Sequence, residues 1–257
     1  MNLKMSNGAG IDLVMGGGSF GFLITEPEDV KKSLGILKSG GVSLIDTAQA
    51  YGESEAVLGQ VEAGKLGFQI STKDSSAVHG QAYSAAGMEE NALHSLARLR
   101  VPEIDIFFLH MPDLKTPLLD YIPTLDRLHK KGVFRRFGVS NFSPGHVEQL
   151  HAYCKEKNFV LPTVYQGNYN ILSRRQENTL FPVLRKLGIS FQAYSTLAGG
   201  FLTKSKEDIA AGAGRFKKDF PFGPMYLAMF ARPLLLDSLG DWENIAKEEG
   251  CSRALLA

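Results

Sequence analysis

The sequence has little cysteine, no surplus of charge of either sign and no long hydrophobic run. Two cysteines, Cys154 and Cys251, are too few for a disulfide scaffold or a four-ligand zinc site. The 28 basic and 27 acidic residues give a net charge of +1, so no basic excess exists to neutralise a phosphate backbone, and we expect no nucleic-acid partner. No apolar run approaches the roughly 20 residues that cross a bilayer, so we expect no membrane partner.

The sequence also lacks a signal-like start and a low-complexity linker. Residues 1–10 contain no apolar core of a signal peptide, which together with the scarce cysteine favours a reducing, cytoplasmic location. No linker divides the chain, so we expect a single domain over residues 1–257. The content of 44% hydrophobic and 21% charged residues is ordinary for a globular protein and excludes a disordered, collagen-like or coiled-coil chain.

Short apolar runs alternate with amphipathic stretches along the chain. Within each run, apolar residues follow one another without alternating with polar ones, which is typical of strands covered on both faces. Between them, helices are predicted from Pro27, which suits a first helical position, and from Ser143, which suits an N-cap. The predicted strands are Leu13–Met15, Val42–Ile45, Phe68–Ser71, Ile104–Leu109, Phe134–Val139, Thr163–Tyr165 and Ile189–Ala193. This order predicts an α/β fold, a (β/α)₈ TIM barrel that lacks its eighth strand and helix.

A glycine cluster near the first strand offers an alternative fold. Residues 16–21 read GGGSFG and fit the GxGxxG pattern of dinucleotide-binding sheets, with Asp46 as the following acidic residue. That pattern should open directly into a helix, but Leu23 to Glu26 come before the helix predicted from Pro27. We therefore favour the barrel.

Six consecutive predicted strands end in polar or amphipathic side chains. In such a barrel the carboxyl ends of the strands meet at one mouth, where the chemistry takes place. The side chains are those of Asp46, Lys73, His110, Ser140 with Asn141, Gln166, and Tyr194 with Ser195. Taken singly, Asp46 would be a helix cap, Lys73 a solvated loop lysine and His110 a structural histidine. As a set at one mouth, they favour a functional site.

The first of these residues suit proton donation to a carbonyl group. Tyr51 follows Asp46 closely, and a phenol is a weak acid at neutral pH unless its anion is stabilised. The Lys73 ammonium would provide that stabilisation, and Asp46 would hold the ammonium by a charge-assisted hydrogen bond. His110 would orient the carbonyl oxygen toward Tyr51.

The later strand ends suit a hydride donor. Ser140, Asn141 and Gln166 offer hydroxyl and amide groups for a carboxamide, and Tyr194 offers a flat face for a nicotinamide ring. The loop over 197–200 contains two glycines, which let the backbone approach a pyrophosphate.

Six stretches of this sequence resemble the aldo-keto reductases, and among them the aflatoxin-aldehyde reductase branch. They read IDTAQAYGESEAVLG, ISTK, IDIFFLHMPD, FGVSNFS, LPTVYQGNYNILSR and AYSTLAGGFLT, and the resemblance runs from about residue 11 to the end. It implies NADP(H)-dependent reduction of an aldehyde or ketone to an alcohol. The family's catalytic tetrad falls on Asp46, Tyr51, Lys73 and His110, with the tyrosine as general acid.

The same resemblance implies a set of cofactor contacts. The nicotinamide contacts fall on Ser140, Asn141 and Gln166, with Tyr194 stacking on the ring. The pyrophosphate side falls on Ser195, Leu197 and Gly199, and Arg215 is a further candidate for a phosphate contact.

The sequence departs from the family at its end. Family chains continue into an eighth strand and helix, and then into a segment that grips the 2′-phosphate. The resemblance therefore implies open edges on the first and seventh strands, with weakened cofactor affinity, low stability or completion by a second copy in a homo-oligomer. An impaired remnant, or a non-catalytic binding subunit of this fold, is the alternative to an active reductase. The expected substrate is a small carbonyl compound, which includes carbonyls of secondary metabolism.

Overall fold

The computed structural model describes residues 11–220 and 223–257, and the chain separates into two compact units. Unit 1 comprises Met1–Tyr165 and Val183–Phe191, and unit 2 comprises Gln166–Pro182 and Gln192–Ala257. The expectation of a single domain over residues 1–257 stays a prediction.

Within the described residues, seven strands form one parallel sheet in chain order. They are β1 (Val14–Gly16), β2 (Leu44–Asp46), β3 (Gln69–Asp74), β4 (Ile104–Leu109), β5 (Phe134–Ser140), β6 (Pro162–Asn168) and β7 (Ser190–Tyr194). This is the strand order of a (β/α)₈ barrel with seven of its eight units, as predicted. Two strands extend beyond their predicted ends: β3 continues through Lys73 and β6 through Gln166. Both candidate site residues therefore lie within strands and not in loops.

Helical segments connect these strands. The α-helices are α1 (Pro27–Ser39), α2 (Ser54–Gln60), α3 (Ala85–Leu99), α4 (Ile122–Lys130), α5 (Pro144–Lys157), α6 (Gln176–Thr179), α7 (Phe181–Leu187), α8 (Lys206–Ala210), α9 (Gly223–Phe230), α10 (Pro233–Glu248) and α11 (Arg253–Leu256). Helix α5 begins as predicted, because the Ser143 hydroxyl accepts a hydrogen bond from the His146 N–H. The segment between β4 and β5 carries one α-helix, α4. A short 3₁₀ turn precedes α4, since Pro123 lacks an N–H and belongs in a first turn.

The glycine cluster of residues 16–21 is not a dinucleotide-binding turn. After β1 the chain forms a 3₁₀ turn over Gly17–Ser19, and the first α-helix begins only at Pro27. A side chain at Gly21 would collide with the backbone of Glu53, 2.8 Å from its carbonyl carbon, and φ at Gly21 is +74°. These glycines therefore serve close packing against the segment that follows β2.

The sheet in unit 1 has a close-packed interior around Phe108. All six residues of β4 are buried, and Phe108 pairs with Lys73 of β3 and with Gly138 of β5. A Cβ at Gly138 would lie 2.4 Å from two ring atoms of Phe108. Glycine at this position therefore gives the Phe108 ring its space beside Lys73.

Unit 2 has a separate aromatic core. The Phe201 ring lies 6.2 Å from that of Phe216 and 5.8 Å from that of Phe230. Trp242 of α10 donates a hydrogen bond of 3.0 Å to the Leu202 carbonyl, which ties the helix to the segment carrying Phe201. Helices α9 and α10 thus pack onto the chain that follows β7.

Two features are absent from residues 11–220 and 223–257. None of their helices has the length and apolar character that crossing a membrane requires. They contain no group of three His, Cys, Asp or Glu side chains arranged to hold a metal ion.

The space at Gly138 leads to a stability prediction. Gly138→Ala should lower the free energy of unfolding by about 1–3 kcal/mol, because the new methyl group displaces the Phe108 ring. The same substitution at Gly35, inside α1 with open space around it, should raise stability by up to about 1 kcal/mol. Urea unfolding of the two variants measures both effects. If both variants changed the free energy of unfolding by the same small amount, the close contact between Gly138 and the Phe108 ring would be contradicted.

Candidate active site

Lys73 is a fully buried charged group at the carboxyl end of the sheet. Its side chain is fully buried in β3, so it is not the solvated loop lysine that the sequence also allowed. Its ammonium donates a 2.5 Å hydrogen bond to the Asp46 carboxylate and a 2.8 Å bond to the Thr47 carbonyl. An ammonium group buried without such partners would be strongly destabilising.

Asp46 is positioned by β2 and by the glycine cluster. It is the last residue of the strand and caps no helix, and its carboxylate is almost fully buried. A Cβ at Gly17 would lie 3.0 Å from the Asp46 carbonyl oxygen, so glycine lets the first strand's turn approach β2 closely. The Gly17 carbonyl in turn accepts a 2.8 Å hydrogen bond from Ser54, at the start of α2.

Tyr51 lies in the turn between β2 and α2, half-buried. Its ring centre is 5.1 Å from the Lys73 ammonium nitrogen. A Cβ at Gly18 would contact the ring at 3.6 Å, so this glycine forms part of the surface on which the ring rests. The Lys73 ammonium therefore lies over the Tyr51 ring.

His110 follows β4 and completes the cluster. Its ring meets the Tyr51 ring edge to face, with ring centres 5.9 Å apart and planes at 83°. The backbone N–H of His110 donates to the Asp74 carbonyl at 3.2 Å, which fixes the backbone at the end of the strand. Asp46, Tyr51, Lys73 and His110 thus converge within unit 1.

The His110 imidazole is uncharged at neutral pH. Burial, reinforced by the positive charge of Lys73 and a smaller effect of His79, lowers its pKa to about 3. A neutral imidazole offers one N–H donor and one acceptor nitrogen, which suits contact with a carbonyl oxygen.

Ser140 and Asn141 adjoin this cluster at the end of β5. Ser140 is buried, and Asn141 adopts a left-handed conformation with φ of +63°. The Asn141 amide nitrogen donates to the His110 carbonyl and to the Ser140 hydroxyl, each at 3.0 Å. Two of the predicted nicotinamide contacts therefore lie beside a predicted catalytic residue.

The remaining predicted cofactor contacts belong to unit 2. Gln166 is buried, and its amide nitrogen donates to Gln192 at 3.2 Å. Tyr194 is 36% exposed at the end of β7. Ser195, next along the chain, has φ of +53°, and its carbonyl accepts from the Asn170 amide at 2.9 Å.

The loop after β7 is a tight turn with two cations near it. Ala198, Gly199 and Gly200 all have positive φ, and the Ala198 N–H donates to the Ser195 carbonyl at 2.8 Å. The Leu197 carbonyl accepts from Gly200 at 2.9 Å and closes this turn. Glycine at 199 also has a packing reason, since a Cβ there would lie 2.3 Å from the Tyr226 ring.

The two cations of this loop are Lys204 and Arg215. The Lys204 ammonium lies 3.4 Å from the Gly200 carbonyl. Arg215 is exposed, donates to the Tyr226 hydroxyl at 2.9 Å and stacks its guanidinium 5.6 Å from that ring. Lys204 was missed at the sequence level, where only its position just after the glycine loop could have indicated it.

A dinucleotide would find suitable groups in each unit. It needs uncharged hydrogen-bonding groups for its carboxamide, a flat ring face, and backbone N–H groups or cations for its phosphates. Unit 1 supplies Ser140 and Asn141. Unit 2 supplies the exposed Tyr194 ring and the glycine loop with Lys204 and Arg215. Each unit, taken by itself, therefore carries groups that fit part of such a cofactor.

Comparison with known proteins agrees with the fold. The sequence profile of the Aldo/keto reductase family matches residues 12–257. The chain is 36% identical to "Oxidoreductase sirO" of Leptosphaeria maculans over 225 residues, which cover 87% of this chain and 68% of that one. It is 37% identical to "Aflatoxin B1 aldehyde reductase member 2" of Rattus norvegicus over 169 residues, 63% of this chain and 46% of that one. It is 36% identical to "Aldo-keto reductase family 7 member A3" of Homo sapiens over 195 residues, 74% and 59% of the two chains.

The chain belongs to the aldo/keto reductase family, a family of oxidoreductases that act on carbonyl compounds. The resemblance to the aflatoxin-aldehyde reductases noted from the sequence is confirmed among its relatives. The chain spans about half the length of the rat and human aflatoxin B1 aldehyde reductases that it matches, 46% and 47% respectively.

The lowered pKa of His110 leads to a prediction on stability against pH. Since a histidine in the unfolded chain has a pKa of about 6.5, the unfolded state binds more protons than the folded state below that pH. His110 therefore contributes stability that is present above pH 6.5 and is lost as the pH falls toward about 3. Between pH 7 and pH 5, the protein should lose about 1–2 kcal/mol more than a His110→Gln variant.

Urea unfolding at the two pH values measures this difference. His94→Gln is the matched control, because His94 is exposed on α3. An equal loss in the protein and in His110→Gln would contradict a neutral, buried His110.

Proposed function

We propose that this chain reduces an aldehyde or ketone to an alcohol with NADPH, and that Tyr51 gives the proton. The observation that carries the proposal is the fully buried Lys73 ammonium, paired with Asp46 and lying 5.1 Å from the Tyr51 ring centre. A positive charge fixed beside a phenol stabilises the phenolate that remains after the proton has left.

Each residue of the cluster has one role in this proposal. The neutral His110 imidazole holds the carbonyl oxygen of the substrate by a hydrogen bond, and the Tyr51 hydroxyl donates its proton to that oxygen as the alcohol forms. Lys73 stabilises the resulting phenolate, and Asp46 keeps the ammonium in place without touching the substrate. When bound, the reduced nicotinamide supplies the hydride to the carbonyl carbon.

The proposed cofactor contacts are those that the family resemblance implies, with Lys204 added. Ser140, Asn141 and Gln166 would bind the carboxamide, and Tyr194 would stack on the ring. Ser195, Leu197 and Gly199 would line the pyrophosphate with backbone groups, while Arg215 and Lys204 would bind phosphate oxygens. NADPH is proposed over NADH because of the family resemblance and these two cations.

Replacing Tyr51 by phenylalanine tests the proton donor. Tyr51→Phe should lower the rate of carbonyl reduction by at least about 10²- to 10⁴-fold, because no other group donates the proton, while NADPH binding stays unchanged. Steady-state turnover of a small aldehyde and NADPH fluorescence titration give the two readouts. Tyr153→Phe, on α5, is the matched control.

The same experiment separates the alternatives. Full activity in Tyr51→Phe would contradict Tyr51 as proton donor. Saturable NADPH binding without turnover in the unsubstituted protein would favour a non-catalytic binding subunit, and no binding at millimolar NADPH would favour an impaired remnant.

Replacing the loop cation tests the phosphate contacts. Lys204→Met should raise the dissociation constant for NADPH about tenfold, because one charge-assisted hydrogen bond is lost. Lys186→Met is the control, since Lys186 lies exposed on α7 and pairs with Glu148. Fluorescence titration compares the two variants, and equal affinities would exclude Lys204 from the site.

A further inference from the structure

The hydroxyl group of Ser75 contacts His110 and the turn that carries Tyr51. Ser75 follows β3 directly and is 1% exposed. Its oxygen lies 2.9 Å from Nδ1 of His110, and it accepts a 3.1 Å hydrogen bond from the N–H of Ala50, the residue before Tyr51. The carbonyl of Lys73 is a third neighbour, at 3.4 Å. One buried hydroxyl therefore contacts two residues of the cluster, His110 and Lys73, and the residue that precedes Tyr51.

The donors and acceptors around this hydroxyl, together with the lengths of its contacts, indicate where its hydrogen lies. A serine hydroxyl has one hydrogen and two acceptor lone pairs, and the Ala50 N–H always donates, so it occupies one lone pair. Two arrangements then remain: the hydroxyl donates to His110 Nδ1, or it donates to the Lys73 carbonyl and accepts from a protonated Nδ1. The contact with Nδ1 has the usual length of a hydrogen bond, whereas the contact with the carbonyl is at the long limit.

This assignment determines the tautomer of His110. If Nδ1 accepts the Ser75 hydrogen, Nδ1 carries no proton of its own. A neutral imidazole has one protonated nitrogen, so the proton must be on Nε2. Nε2 is the ring nitrogen not engaged by Ser75, and as an N–H it donates to an oxygen acceptor such as a carbonyl.

The position of Ser75 is itself fixed by Gln49. The Ser75 N–H donates to the side-chain oxygen of Gln49 at 3.1 Å. The Gln49 amide nitrogen donates to the Asn91 carbonyl at 3.0 Å and to the Ser95 hydroxyl at 2.9 Å, both on α3. With its amide bound at both ends, Gln49 leaves the Ser75 backbone little freedom, so the hydroxyl stays between Ala50 and His110.

We propose that Ser75 is a positioning residue that holds His110 in the tautomer with Nε2 protonated and ties the Tyr51 turn to the same point. The inference rests on the proposed function, in which His110 donates to the substrate carbonyl. Ser75 acts through His110 and Ala50 and does not touch the substrate.

Nuclear magnetic resonance of ¹⁵N-histidine-labelled protein tests the tautomer without any substrate. In the unsubstituted protein, His110 Nδ1 should resonate as an unprotonated nitrogen and Nε2 as a protonated one, with His110→Gln used for assignment. Ser75→Ala should shift both signals toward a mixture of tautomers. Ser76→Ala, which removes a hydroxyl bound to Asn91, should leave them unchanged. A protonated Nδ1 in the unsubstituted protein, or identical spectra in Ser75→Ala, would overturn the proposal.

Kinetics distinguish this proposal from the proposed function. Ser75→Ala should lower kcat for carbonyl reduction about tenfold, because the hydrogen bond that orients the His110 ring is lost. NADPH affinity should stay unchanged. Ser75→Thr, which keeps a hydroxyl, should recover most of that loss. A failure of Tyr51→Phe to reduce activity would overturn the proposed function, while the tautomer measurement would still decide the role of Ser75. If Ser75→Ala does not fold, the tautomer of the unsubstituted protein and the Ser75→Thr variant decide it.

Discussion

The structure of unit 1 depends on one constraint, the neutralisation of a fully buried ammonium group. Lys73 is inside β3, where no water reaches its charge, and Asp46 at the end of β2 provides the opposite charge at 2.5 Å. The neighbouring strand places Phe108 beside Lys73, with the ring 5.7 Å from the ammonium, and Gly138 makes room for that ring. The interior around the pair is therefore built to hold the charge against the Tyr51 ring.

Much of this arrangement could be predicted from sequence because parallel strands in chain order share one carboxyl edge. Reading the polar residue at the end of each apolar run was enough to bring Asp46, Lys73 and His110 together, and Tyr51 followed from its distance to Asp46. The glycine cluster could be distinguished from a dinucleotide-binding turn because no helix is predicted directly after its glycines. In the structure, the chain forms a 3₁₀ turn over Gly17–Ser19, and the first α-helix begins at Pro27.

Other features could not be predicted because they depend on contacts between distant segments. A serine after a strand indicates a turn, and nothing local shows that the Ser75 hydroxyl meets the loops after β2 and β4. Periodicity ended β3 before Lys73, whereas the strand continues through it, since the Asp46 carboxylate makes a buried lysine tolerable there. Lys204 reaches back to the Gly200 carbonyl, a contact that depends on the tertiary path of the loop.

The central claim is that Lys73 and Asp46 form one buried, mutually dependent pair, and a double-mutant cycle tests it most directly. The free energy of unfolding in urea is measured for the protein, Lys73→Met, Asp46→Asn and the variant with both changes. Each single variant should lose about 3–5 kcal/mol, because it removes the opposite charge from beside a buried group, and the double variant should lose clearly less than the sum. Strictly additive losses, or single variants as stable as the protein, would contradict the account.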